Sequence, residues 1–164
     1  MLTQNAIINK ATEIGKAEAF VDVVKLASEV NVEVYVTNDG DDFHAKTVHD
    51  KDDIRHKIYV NGSQTLEKQR FSIAHELARL TITRGKLTKS QEEATDEMAA
   101  EILMPKKLVE EKLNEEKIAK RTPLSQDVIA KMADNFKVSQ TFSALRLRSL
   151  KYFVPWKTLL NLNQ

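Results

Sequence analysis

No cysteine occurs among the 164 residues, and glycine and proline are scarce, at 4 and 3. Without cysteine there is no disulfide scaffold, no thiolate zinc site and no cysteine nucleophile, and a reducing, cytoplasmic setting is expected. So little glycine and proline excludes a collagen-like or low-complexity chain. The opening residues Met1 to Asn5 lack the basic start and apolar run of a signal peptide, and no later stretch approaches a membrane span. An excess of one charge is also missing: 25 Lys and Arg face 24 Asp and Glu, for a net charge of +1. That removes any overall electrostatic drive toward nucleic acid. What remains, 41% hydrophobic and 30% charged residues, is the composition of a globular chain with one substantial core. The charge is uneven, however. No acid follows Asp134, whereas Lys137, Arg146, Arg148, Lys151 and Lys157 do, so an acidic body precedes a basic tail.

Apolar spacing predicts a first helix through Ile7, Ile8, Ala11 and Ile14, closing at Gly15, and a second from Phe20 to Val30. Val32, Val34 and Val36 alternate as in a strand with one buried face. Phe43 to Val48 and Lys57 to Val60 are further strands, with a turn at Asn38 to Asp42. From Gln69 the pattern is helical up to Gly85, and Ser90 with Glu93 has the form of a capping box for a helix running to Met104. Lys106 to Lys120 reads as a solvated helix face, and two helices follow the break at Thr122 to Ser125. The expected class is α+β, mainly helical with a small central sheet, divided into residues 1–121 and a C-terminal helical extension, 122–164.

Histidine occurs only at positions 44, 49, 56 and 75. His75-Glu76 begins an H-E-x-x-R sequence on a helix. In the zinc peptidase form H-E-x-x-H, two imidazoles one turn apart share a metal and the glutamate acts on the bound water. Here the last position is Arg79. Glu92 and Asp96, also one turn apart, share a face of the next helix, where one carboxylate could bind metal and the other orient an imidazole. The same residues equally fit a charged solvent face, and His75-Glu76 alone is more simply a helical pair at the edge of a core.

Taken together, Gln69-Arg70-Phe71-Ser72-Ile73-Ala74-His75-Glu76-Leu77-Ala78 and Glu92 through Ala99-Ala100-Glu101-Ile102-Leu103-Met104-Pro105 resemble the paired signature helices of the ImmA/IrrE metallopeptidases. The resemblance extends to the helix-strand N-terminal half, to Ile58-Tyr59-Val60-Asn61, and to Val128 through Leu150. It implies a gluzincin-like metallopeptidase domain with zinc held by His75 and Glu92, Glu76 as general base, and Asp96 orienting an imidazole. It also implies the habits of the family, which is often carried by phages and mobile elements or linked to stress responses. Its members cleave a partner helix-turn-helix repressor of the XRE type.

Arg79 departs from this pattern, standing where the family has its second histidine. A guanidinium has no lone pair to donate and stays protonated. A divalent ion and a unit positive charge about 4 Å apart repel by roughly 8 kcal/mol at an effective dielectric of about 20, twice the unit-charge figure. Three explanations are open. Arg79 pairs with Glu76, Glu92 or Asp96 in an inactive pseudopeptidase that binds a partner, such as a repressor or antitoxin. Arg79 is an incidental or introduced substitution in an otherwise active protease. Or His44, His49 or His56 completes the site.

Ile129 to Phe136, Lys137-Val138-Ser139, then Gln140 to Leu150 also has the helix-turn-helix form of a DNA-binding motif, with Arg146 and Arg148 on its second helix. The apolar Phe142, Leu145, Leu147 and Leu150 on that helix favour packing or partner docking over DNA contact. The apolar terminus from Tyr152 to Leu162 is expected to pack down or to form an oligomer contact.

Overall fold

The computed structural model describes residues 2–38, 43–49, 55–83 and 85–162. Among these, eight helices and three strands follow in the order α1 (Gln4–Glu18), α2 (Val23–Glu29), β1 (Val32–Thr37), β2 (Ala45–His49), β3 (His56–Asn61), α3 (Leu66–Ile82), α4 (Lys89–Leu103), α5 (Lys106–Glu115), α6 (Gln126–Phe136), α7 (Gln140–Ser149) and α8 (Trp156–Leu162). The fold is the expected mainly helical α+β. The chain divides into two units, Met1–Leu103 and Met104–Gln164.

In the first unit, α1 buries Ile7, Ala11, Ile14 and Gly15 along one face. The helix runs past Gly15 and ends at Ala19, which takes the left-handed conformation at φ 67°. A helical glycine costs only about 1 kcal/mol, less than the packing of this face returns. The second helix is shorter than expected, because Asp22 caps it by accepting from the backbone N–H of Val24 and Lys25 at 2.9 and 3.0 Å. Phe20 and Val21 therefore precede it.

The strand order is β1-β3-β2, with β1 parallel and β2 antiparallel to β3. Residues in register share a face. One face carries Val32, Ile58 and Val60, all buried, together with Thr47, His49 and His56. The opposite face carries a stacked Tyr35–Tyr59 pair, centroids 5.3 Å apart, and Tyr35 donates to Glu33. The burial expected of Val32, Val34 and Val36 fades along the edge strand, and Val36 is 64% exposed. Its Cγ1 lies over Gly62, where an added Cβ would come within 2.7 Å of it and 2.4 Å of Asn38 Oδ1, so only glycine fits. The turn expected at Asn38 to Asp42 falls, from Asp39 on, outside the described residues.

Helix α3 starts at Leu66, earlier than the apolar pattern indicates, because Thr65 accepts from Lys68 N–H. The capping box of α4 sits two residues before the expected Ser90 and Glu93. Thr88 Oγ1 accepts from Gln91 N–H at 3.3 Å, while the Gln91 side chain accepts from Thr88 N–H at 2.9 Å.

In the second unit, α5 buries Leu108, Val109 and Leu113, so the stretch expected to be a solvated face is amphipathic. Ser125 and Ser139 cap α6 and α7 through Val128 and Phe142 N–H. Lys137 makes the turn between them in the left-handed conformation. Arg146, offered by its sequence as a DNA contact, is buried and donates from Nε and a terminal nitrogen to Met104 O, each at 3.2 Å. Leu145, expected to face a core, is 54% exposed. The terminal stretch is held by Phe153 N–H to Lys120 O and Leu124 N–H to Phe153 O. Tyr152, Val154 and Leu159 are buried, while Phe153, Trp156 and Leu160 remain exposed.

Candidate functional site

Helices α3 and α4 pack side by side and bring together three of the five residues singled out on them, His75, Glu92 and Asp96. His75 and Asp96 meet with Nδ1 and Oδ1 3.0 Å apart. A carboxylate accepts only, so Nδ1 carries a proton, and in the neutral ring Nε2 then holds the lone pair. That nitrogen faces Glu92, with Oε2 at 3.8 Å, too far for a hydrogen bond. Glu92 and Asp96, one turn apart on α4, both reach the His75 ring from that helix.

Glu76 and Arg79 form the other half. Glu76 is buried on the face of α3 turned toward the sheet. Its Oε2 accepts from the Thr47 hydroxyl of β2 and from an Arg79 terminal nitrogen at 3.4 Å. A second Arg79 nitrogen donates to Gly85 O at 3.2 Å, fastening the guanidinium to the connection after α3. A buried carboxylate needs such partners, since leaving it charged and unpaired is costly. Of the three acids that could have received Arg79, the structure pairs it with Glu76, the nearest along the helix.

Thr47 and the Gly85 carbonyl escape sequence reasoning. Only the face assignment of β2 hints at Thr47, because its partner lies 29 residues away on a helix packed across the sheet. The other histidines lie elsewhere. His44 offers its carbonyl to Asn61 N–H and Gln64 Nε2. His49 and His56 stand together on the sheet.

The donor set does not fit a zinc centre of three protein ligands. His75 Nε2 and Glu92 supply two donor atoms, and Arg79 supplies positive charge instead of a third. Two atoms on one tetrahedral zinc, at bonds of about 2.0 to 2.1 Å, stand roughly 3.3 Å apart, closer than these two. Among the described residues no three His, Asp or Glu side chains converge as a metal would need.

Comparison with protein families matches residues 27–148 to a peptidase family described as the IrrE N-terminal-like domain. The match takes in α3, α4 and the whole sheet and runs into α7. No match was found among curated proteins.

Proposed function

This chain belongs to the ImmA/IrrE family of metallopeptidases, and from that premise we propose that it is a pseudopeptidase, which binds a partner protein without cutting it. The observation that carries this reading is the Arg79 guanidinium on Glu76. One oxygen of that carboxylate is engaged by both a cation and the Thr47 hydroxyl, so the group best placed to take a proton from an attacking water is committed to a structural ion pair. Arg79 also adds a positive charge to the helix that carries His75, which disfavours a cation there. The partner we propose is a helix-turn-helix repressor or antitoxin of the kind that the family resemblance implies, held intact.

The competing reading, an active cytoplasmic zinc protease of such a repressor, draws support from His75, whose Asp96 partner leaves Nε2 aimed at Glu92. It requires Arg79 to leave Glu76. Zinc titration of the native chain, Arg79→His and His75→Ala separates the two. The expected result is zinc binding that depends on His75 only in the Arg79→His background, together with co-elution of uncut repressor with the native chain. Zinc binding by the native chain that His75→Ala removes, accompanied by repressor cleavage, overturns the proposal.

A further inference from the structure

The sheet has two outer strands, β1 and β2, and among the described residues each pairs with β3 alone. They are not alike. β2 carries Lys46 and is engaged with α3 through Thr47. β1 has no lysine, proline or glycine, and it pairs with β3 without a bulge from Val32 to Thr37. Edge strands ordinarily carry such features to discourage pairing with another chain. The single charge on β1, Glu33, is matched within the copy by Arg55 and by the Tyr35 hydroxyl. Tyr35 and Val36 are nevertheless 42% and 64% exposed. One contact fixes where the main-chain groups point. Thr37 O accepts from Gly62 N–H at 2.8 Å, so Thr37 turns its polar groups toward β3. With a period of two, Tyr35 and Glu33 do the same, while Val32, Val34 and Val36 present theirs at the outer edge.

We propose that this edge is an interface with a second copy of the chain: two β1 strands pair antiparallel about a two-fold axis and join two three-stranded sheets into one of six. An axis perpendicular to the sheet keeps like faces together, so that residues opposite one another come from the same alternate set. Centred on Tyr35, it sets Val34 against Val36 of the second copy, and Val36 against Val34. Each is a hydrogen-bonded pair made by the outward main-chain groups. Tyr35 meets its own counterpart at the closer, non-hydrogen-bonded position. The Tyr35–Tyr59 stack, with centroids 5.3 Å apart, then continues across four strands.

Charge selects both the register and the occupant. Centring on Tyr35 separates the two Glu33 carboxylates by about 14 Å along the strands. Centring on Val34 would make them diagonal neighbours about 7 to 8 Å apart, where like charges repel. With Glu33 already matched by Arg55, the edge offers no charge for a partner of opposite sign to read. It offers valine and tyrosine side chains and a row of main-chain donors and acceptors, which a two-fold makes complementary to themselves.

Sedimentation of the full chain over a dilution series tests the interface. The expected result is a reversible species of twice the 18.7 kDa of one chain. Val36→Lys, which sets two like charges diagonally across the axis, should weaken the association at least about tenfold. Val36→Pro removes an N–H that β3 does not use and should act in the same direction. Val36 is exposed, so the lysine variant keeps the fold, which circular dichroism verifies. The lack of cysteine allows a positional test. Tyr35→Cys should form an intermolecular disulfide on mild oxidation, because Cα atoms of a non-hydrogen-bonded pair stand about 4.5 Å apart, within reach of the bond. Lys46→Cys, on the same face of β2, should not. A monomer at every concentration overturns the proposal, and if Val36→Lys then weakens binding of a repressor, the edge takes the partner's strand instead. A dimer indifferent to Val36→Lys, or cross-linking no faster at Tyr35→Cys than at Lys46→Cys, also overturns it by placing the contact elsewhere. None of these positions lies on α3 or α4, so the result leaves the pseudopeptidase reading untouched.

Discussion

Arg79 in the first unit and Arg146 in the second invite comparison. Each stands where its sequence suggests an encounter with something outside the chain, a metal in one case and DNA in the other. Each is instead turned inward. Arg146 gives two hydrogen bonds to a single backbone carbonyl, that of Met104, just beyond the end of α4. Arg79 divides its donors between a buried carboxylate and the Gly85 carbonyl. The difference lies in what each would abandon if removed. Without Arg146 a neutral, buried carbonyl loses its partner; without Arg79 a charged group does, but one that Thr47 still serves and that lies beside a side chain about one third exposed to water. An arginine at a sensitive position is therefore no sign of its ligand until its acceptor is known.

Substitutions can break or sharpen that contrast. Arg146→Met is expected to have the largest effect, about 2 to 3 kcal/mol lost in urea unfolding, because two charge-assisted bonds to a buried acceptor go at once. A loss below about 0.5 kcal/mol would remove the anchoring role altogether. Arg79→Met should cost about 1 kcal/mol, since partial exposure discounts the pair. A double-mutant cycle with Glu76→Gln should return a coupling of about that size, and a coupling near zero would leave Arg79 free to serve other partners. Thr47→Val, which removes the second donor to Glu76, should lower stability by about 0.5 to 1 kcal/mol, measured as a shift in denaturation midpoint. Arg148→Ala, on the exposed side of α7, should change stability by less than about 0.5 kcal/mol. It should also leave any affinity for duplex DNA unaltered across a salt series. A shallower salt slope in that variant would restore α7 as a nucleic-acid contact.

What the sequence made legible follows the range of the interactions involved. The pairing of His75 with Asp96 could be anticipated because both positions are fixed by helical spacing on neighbouring helices. The strands could be placed by alternation, although Val36 shows that alternation does not say how far along an edge strand the cover extends. The α4 cap was displaced by two residues because Thr88-Gln91 and Ser90-Glu93 offer the same local chemistry, and only the helix start decides between them. Arg79 had three acids within reach. The i,i+3 spacing on α3 set Glu76 apart from Glu92 and Asp96, but the Thr47 hydroxyl that completes the arrangement arrives from a strand. Arg146 was hidden for the same reason: its acceptor is a main-chain oxygen 42 positions away, and carbonyls carry no residue signature.

The order of strands in the sheet also bears on time. The central strand, β3, is the last of the three to be synthesised, and its partners lie at different distances along the chain. Against β2 it closes a short loop, beginning with His49 and His56, whereas against β1 every pair, from Val32–His56 to Thr37–Asn61, spans a longer one. Loop closure is quicker the shorter the loop, so the hairpin should zip first and β1 should dock on it afterwards. Mutations in β2 should then slow folding and those in β1 should mainly hasten unfolding. The first strand to leave the ribosome would thus be the last to find its place.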